Sequence, residues 1–229
     1  MKTVLITGAS RGLGLEFTRQ YLEQGCRVIA CARNPDASQG LSKLKESEAN
    51  LTVYSLDVTD SASRKALAAK VADQQIHLLI NNAGYYGENN RLGHLSEAEW
   101  EKVFRTNVIA PIKMVEILRL NLVEAGSATV AILSSKMGSM SDNTSGGSYL
   151  YRSSKAALNA AGKSLAIDLA EEKIKVVLLH PGWVLTDMGG PNALIDATTS
   201  VQGMRRVIQG VTAQSSGEFV AYDGTVIPW

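Results

Sequence analysis

An α/β fold with one doubly wound parallel sheet and helices on both faces is what this sequence predicts, on three observations. Short apolar runs recur along the chain and are continuous rather than alternating, as strands buried on both faces are. Longer amphipathic stretches separate them, and a glycine-rich turn follows the first run. Strand and helix in alternation build βαβ units with right-handed crossovers. The 229 residues suit one domain over residues 1–229, since domains typically run to ~100–200 residues.

Val4-Leu5-Ile6 reads as the first strand, and residues 13–23 as the helix after the glycine turn. Val28-Ile29-Ala30 and Val53-Tyr54-Ser55-Leu56 read as the next two strands. Residues 61–72 then form a helix with Leu67 and Val71 on one face, four apart as a helical stripe requires. Leu78-Leu79-Ile80 is the fourth strand, residues 96–122 one long helix, and Thr129-Val130-Ala131-Ile132-Leu133 the fifth strand. Residues 149–170 carry Ala157, Leu158, Ala161, Leu165 and Leu169 at helical spacing, and Val176-Val177-Leu178-Leu179 closes the series. No repeat, linker or low-complexity tract interrupts it.

Charge and composition exclude several classes of function. Lys and Arg number 23 against 22 Asp and Glu, with no basic block, so a nucleic-acid track or an anionic membrane surface is a poor fit. No apolar run approaches the ~20 residues of a membrane span. The opening Met1-Lys2-Thr3-Val4-Leu5-Ile6-Thr7-Gly8 is too short an apolar stretch for a secretory leader. Cys26 and Cys31 are too few for a disulfide framework, and a reducing cytoplasmic setting is the simplest expectation. His77, His94 and His180 are widely spaced, and no metal is assigned.

Ligands of such sheets bind beyond the carboxyl ends of the strands, so the residues after each apolar run matter most. Thr7-Gly8-Ala9-Ser10-Arg11-Gly12-Leu13-Gly14 joins the first strand to a helix. Phosphate binding there needs bare backbone N–H groups with no Cβ in the way, and position as much as the glycine trio points to a dinucleotide. The second strand ends Ala32-Arg33. An acid at that point would accept from a ribose 2′-hydroxyl, whereas arginine favours a 2′-phosphate. With Arg11 as a second cation, the expected cofactor is NADP rather than NAD, the plain alternative being a solvated loop arginine. Asp57 is placed to accept from the adenine amino group, while Asp60 suits a helix cap. Asn81-Asn82-Ala83-Gly84 puts amides where a crevice needs backbone partners.

Tyr151 and Lys155 share a helix face four residues apart. A phenol ionises at ~10, and a nearby cation would lower that value and make it a usable acid and base. Taken alone, such a pair more often decorates a solvated face. Ser135 supplies a hydroxyl at the same sheet edge, and Asn107 is an amide within a helix that needs a partner. Tyr85, Tyr86, Trp100 and Trp183 are candidates for a substrate wall, although core or interface packing suits Trp100 better. The small, polar stretch 189–199 reads equally as a mobile lid or an ordinary loop.

These motifs, in this order, resemble the short-chain dehydrogenase/reductase family over essentially the whole chain. The match rests on Thr7-Gly8-xxx-Gly12-x-Gly14, Asn81-Asn82-Ala83-Gly84, Asn107, Ser134-Ser135, Tyr151-xxx-Lys155 and Pro181-Gly182. The residues from Asn143 to Asn159 and from Leu179 to Pro191 look more narrowly like its C-factor and sniffer-type carbonyl reductase branch, as does the ending Gly224-Thr225-Val226-Ile227-Pro228-Trp229. The resemblance implies a Rossmann-type sheet and an NADP-dependent reductase or dehydrogenase acting on a small carbonyl or alcohol. It implies a tetrad: Tyr151 as acid and base, Lys155 on the nicotinamide ribose, Ser135 on the substrate oxygen and Asn107 holding a relay water. It further implies that Gly8, Ser10, Arg11, Gly12, Leu13 and Gly14 take the pyrophosphate, that Asp57, Val58 and Asn82 line the adenosine, and that Val184 meets the carboxamide. A dimer or tetramer is implied as well. A dinucleotide-binding signalling protein is the alternative within the same branch. Two departures stand out. Lys136 follows Ser135, where many members carry a small residue, and Ala221-Tyr222-Asp223-Gly224 replaces the usual Val-Asn-Gly-Gly, which questions a standard C-terminal oligomer contact.

Overall fold

Seven strands, all parallel, form one sheet in the order β3-β2-β1-β4-β5-β6-β7 in a computed structural model that describes residues 1–88 and 91–229. They are β1 (Thr3–Thr7), β2 (Arg27–Ala32), β3 (Leu51–Ser55), β4 (Leu78–Asn81), β5 (Ala128–Leu133), β6 (Ile174–His180) and β7 (Phe219–Ala221). The helices are α1 (Gly12–Glu23), α2 (Gln39–Ser47), α3 (Ser61–Lys70), α4 (Glu97–Phe104), α5 (Ala110–Glu124), α6 (Tyr149–Asp168) and α7 (Ala197–Gly210). The chain leaves β1 toward β2 on one side and returns to lay β4 on the other. The crevice between those halves opens above the ends of β1 and β4.

Both sheet faces are dry, which is why the strand runs are continuous. Val4 and Ile6 pack with Phe17, Val201 and Met204 beneath α1 and α7. Leu5, between them, faces Leu67, Met114, Leu118 and Leu158 under α3, α5 and α6. Leu67 and Val71 are both buried, and the Asp60 side chain caps α3 by accepting from the N–H groups of Ala62 and Ser63. No described helix is long and apolar enough to cross a membrane.

The expected helix over 96–122 is divided. α4 and α5 are joined by a π-helical turn at Arg105–Ile109, where Ala110 N–H bonds the Arg105 carbonyl five residues back. Pro111 explains the break: it has no N–H to offer the Asn107 carbonyl four residues earlier. Three elements lie outside the sequence expectation. α2 buries only Leu41, β7 has three residues, and α7 begins within the stretch read as lid or loop. The outer edge of β7 is covered by the chain itself, Ala221 and Ile227 N–H bonding the Thr225 and Phe219 carbonyls at 2.8 Å each. This folding-back blunts an edge that would otherwise pair with another strand.

Candidate active site

The β1–α1 turn is shaped for a close-approaching ligand. Gly8 and Gly12 have φ of +66° and +54°, and a Cβ on Gly14 would lie 2.2 Å from the Gly8 carbonyl oxygen. Arg11 precedes α1 in extended conformation and makes no side-chain cap, and the first turn holds no acid. The N-terminal N–H groups therefore face the crevice with a positive helix end behind them. Asn82 fixes the turn from β4, its Nδ2 donating to the Thr7 and Gly8 carbonyls at 2.9 and 3.0 Å. Thr7 Oγ1 returns the contact by accepting from Asn82 and Ala83 N–H, each at 3.1 Å. Ser10 is tied outward through its carbonyl, which accepts from Ser38 Oγ at 2.6 Å. Residues 8–12 also spell Gly-x-Ser-x-Gly, the string of a hydrolase elbow. The histidines sit elsewhere, His77 accepting from Thr3 N–H and His180 from Lys136 N–H.

Arg33 is exposed at the end of β2, and its charge helps to hold the Asp57 carboxyl below the ordinary range. Burial opposes that shift and is outweighed, chiefly by Thr59, whose N–H and Oγ1 bond Asp57 Oδ1 at 2.8 and 2.7 Å. Val58 is buried beside them, its carbonyl held by Arg64 Nη1 at 2.6 Å. Arg11, expected at the same pocket, instead reaches Asp187 at 2.5 Å, both side chains being about three-quarters exposed. Thr186, next to Asp187, lies over Gly12, and buried Val184 pairs with Ile195 where the 183–195 excursion closes.

Asn107, Ser135, Tyr151 and Lys155 converge beyond the ends of β4 and β5, and all four are buried. Lys155 Nζ donates to the Leu133 carbonyl at 2.7 Å and lies 5.6 Å from the Tyr151 ring centre. Asn107 is locked from both ends: Oδ1 accepts from Tyr85 N–H at 2.8 Å, and Nδ2 donates to the Tyr85 carbonyl at 2.8 Å and to Ser154 Oγ at 3.0 Å. Pro111, with no N–H, cannot be the partner of the Asn107 main-chain carbonyl four residues earlier. Burial pushes the Tyr151 phenol up to about 12, against the pull of its hydrogen bond with Ser135. Burial likewise pushes the Lys155 ammonium down to about 7. The expectation that Lys155 lowers the phenol meets a counter-effect, because a dry site penalises both charged forms.

Sequence reasoning missed Thr186 and Asp187 as crevice residues, though both lie within five residues of Pro181-Gly182. Lys136, which departs from the family pattern, has its Nζ paired with Asp142 at 3.0 Å. Trp100 donates to Ser153 Oγ at 3.0 Å between α4 and α6, which fits a packing role. Trp183, half exposed, donates to the Gly189 carbonyl at 2.7 Å.

A glycine cradle at the sheet's switch point, with a buried phenol and amine one crevice-width away, is the architecture of a dinucleotide-dependent oxidoreductase. The sequence profile described as short chain dehydrogenase matches residues 2–194, and the chain belongs to that family. It is 44% identical over 165 residues to the C-signal protein of Myxococcus xanthus, covering 72% of this chain and 99% of that one. Among solved structures it is 34% identical to the carbonyl reductase Sniffer of D. melanogaster, with a TM-score of 0.96 and full coverage of both chains. It is also 34% identical to an NADPH-bound carbonyl reductase from chicken fatty liver, with a TM-score of 0.94, covering 100% of this chain and 99% of that one.

Proposed function

We propose that this chain is an NADP-dependent carbonyl reductase in which Tyr151 is the proton donor, Ser135 and Lys155 its partners, and NADPH the preferred cofactor over NADH. The carrying observation is the buried Ser135–Tyr151–Lys155 cluster beside a glycine turn so tight that a Cβ at Gly14 would strike the Gly8 carbonyl. When bound, the reduced cofactor supplies a hydride to the carbonyl carbon. Tyr151, pushed up to about 12, holds its proton at neutral pH and gives it to the carbonyl oxygen. Ser135 Oγ bonds the same oxygen, so charge developing there meets two donors in a water-poor site. The phenolate left behind is restored by a proton from Lys155, whose value of about 7 suits it to pass protons near neutrality. Asn107 would hold the water that resupplies it. Arg33 beside the adenosine residues Asp57 and Val58 supports the 2′-phosphate preference.

Titration with NADPH and NADH, followed by a carbonyl panel read by cofactor oxidation, tests this. Turnover should fall by at least ~10²-fold in Tyr151→Phe, within the range general acid catalysis contributes. Full activity in that variant would overturn the assignment. A C-factor-like signalling role is the second reading, resting on the likeness to C-signal, and it predicts a biological phenotype that survives Tyr151→Phe. We further propose a cytoplasmic setting, on the two unpaired cysteines, and a homodimer or tetramer through α5 and α6, where Leu120 and Ile167 are exposed. Light scattering after gel filtration reads the oligomer directly.

A further inference from the structure

We infer that Tyr86 is a positioning residue for the proton donor, holding both the Tyr151 ring and the start of α6; this rests on the reductase reading above. The two rings meet with centres 4.7 Å apart and planes tilted by 36°, within the range where aromatic pairs attract. The Tyr86 hydroxyl lies 2.7 Å from Ser148 Oγ. Ser148 is the residue immediately before α6 and has φ of +48° and ψ of +41°, a left-handed conformation that L-residues other than Gly, Asn and Asp seldom adopt. It completes a run of three left-handed residues with Gly146 at +63° and Gly147 at +65°. Two of the three are glycine and adopt the conformation freely; the third carries a side chain and has that side chain tethered.

Ser148 makes no side-chain cap to α6, although serine before a helix normally gives its oxygen to the second or third N–H. Its hydroxyl is paired with Tyr86. The tether sets the direction in which α6 begins, three residues before Tyr151. Tyr86 itself follows a fixed point. Tyr85 is clamped by both main-chain bonds to Asn107, and its phenol is held by Glu99 and by Lys102 Nζ at 3.1 Å. One connected path therefore runs from Asn107 through the 85–86 backbone to the ring and helix start that aim the Tyr151 oxygen. Ser135 and, on its own helix, Lys155 also face Tyr151.

The test uses purified full-length chain, NADPH, and 4-nitrobenzaldehyde as an aromatic aldehyde probe. Tyr86→Phe keeps the ring contact and loses the tether, and kcat should fall roughly five-fold; Tyr86→Leu loses both and should fall by about 30- to 100-fold, as misplacement of a reacting group does. The NADPH dissociation constant and the KM for the aldehyde should stay within about two-fold, the signature of an effect on the chemical step alone. Ser148→Gly placed in the Tyr86→Phe background should return kcat to within about two-fold of wild type, because glycine takes the left-handed conformation unaided, whereas Ser148→Ala should not. A raised KM with unchanged kcat would make Tyr86 a substrate wall and overturn the inference, as would failure of the glycine rescue. If wild type reduces no carbonyl, or Tyr151→Phe keeps its rate, the reductase reading falls and this inference with it. Wild-type turnover that depends on Tyr151 but not on Tyr86 overturns the inference alone.

Discussion

Burial moves several titratable groups of the fold away from their charged forms, and each shift sets a pH window for stability. Lys155 falls from 10.5 to about 7, so between those values the unfolded chain binds the extra proton and stability rises with pH. For one group the gain between pH 7 and 9 is about 2 kcal/mol. His180, lowered from 6.5 to about 4 by burial and by Lys136, adds the same sign of slope between pH 4 and 6.5. Cys31 and Tyr151, both pushed up to about 12 by burial, hold protons that the unfolded chain has lost and reverse the slope above pH 9. Urea midpoints of the cofactor-free protein should therefore climb from pH 4 to a maximum near 9 and then fall. Lys155→Met should flatten the segment from 7 to 9; an unchanged slope there would mean that the amine stays charged in the fold. The residue types of the site are legible in the sequence, but these directions are not. Spacing puts a cation four residues from Tyr151, and only packing reveals that Nζ is turned to the Leu133 carbonyl in a dry pocket.

What the elements owe to the sequence varies with how much apolar surface each contributes. The five inner strands and α1, α3 and α6 are legible because each carries a continuous run or a stripe of buried positions. α7 was equally readable in principle: Val201, Met204 and Ile208 are all buried at three- and four-residue steps, with Asp196 capping through Thr199 N–H at 2.7 Å. The Thr-Thr-Ser start and the small-residue stretch before it concealed the stripe. α2 offers little to read, since one buried leucine makes no periodicity. The π turn in the 96–122 helix follows from Pro111, a local signal outweighed by the apolar stripe on either side. Close packing between elements makes a further prediction. Gly138, in the short turn after Ser135, lies so near α6 that an added Cβ would sit 2.8 Å from Lys155 Cβ and from its carbonyl carbon. Gly138→Ala should cost about 1–3 kcal/mol, as overpacking does, and should lower kcat by shifting Lys155. The same change at Gly210, where an added Cβ meets nothing within 4 Å, should leave stability within about 1 kcal/mol of wild type or raise it. Equal effects in thermal melts of the two variants would show that the turn yields freely and does not register α6.

At the scale of the whole molecule, the cofactor crevice lies between the halves of the sheet that meet at β1 and β4, and side chains from both halves meet at its rim. Asn82 ties the β4 end to the glycine turn, and the Arg11–Asp187 pair links that turn to the excursion after β6. An ion pair so exposed is worth only ~0–1 kcal/mol, so it is a weak clasp. A dinucleotide engaging both halves should therefore be a large addition to stability. At one hundred times its dissociation constant a ligand contributes about 2.7 kcal/mol, and in a chain of this size each kcal/mol moves the melting midpoint by about 2–4 °C. NADPH at that excess should raise Tm by about 5–10 °C in one cooperative transition, as a single domain over residues 1–229 requires. NADH at the same concentration should raise it less. Arg33→Ala should erase most of the difference between the two by lowering the NADPH shift while leaving the NADH shift in place. Two separated transitions would refute the single domain, and equal shifts in the wild-type protein would remove Arg33 from the 2′-phosphate, leaving Asp57 and Val58 to bind an adenosine of either kind.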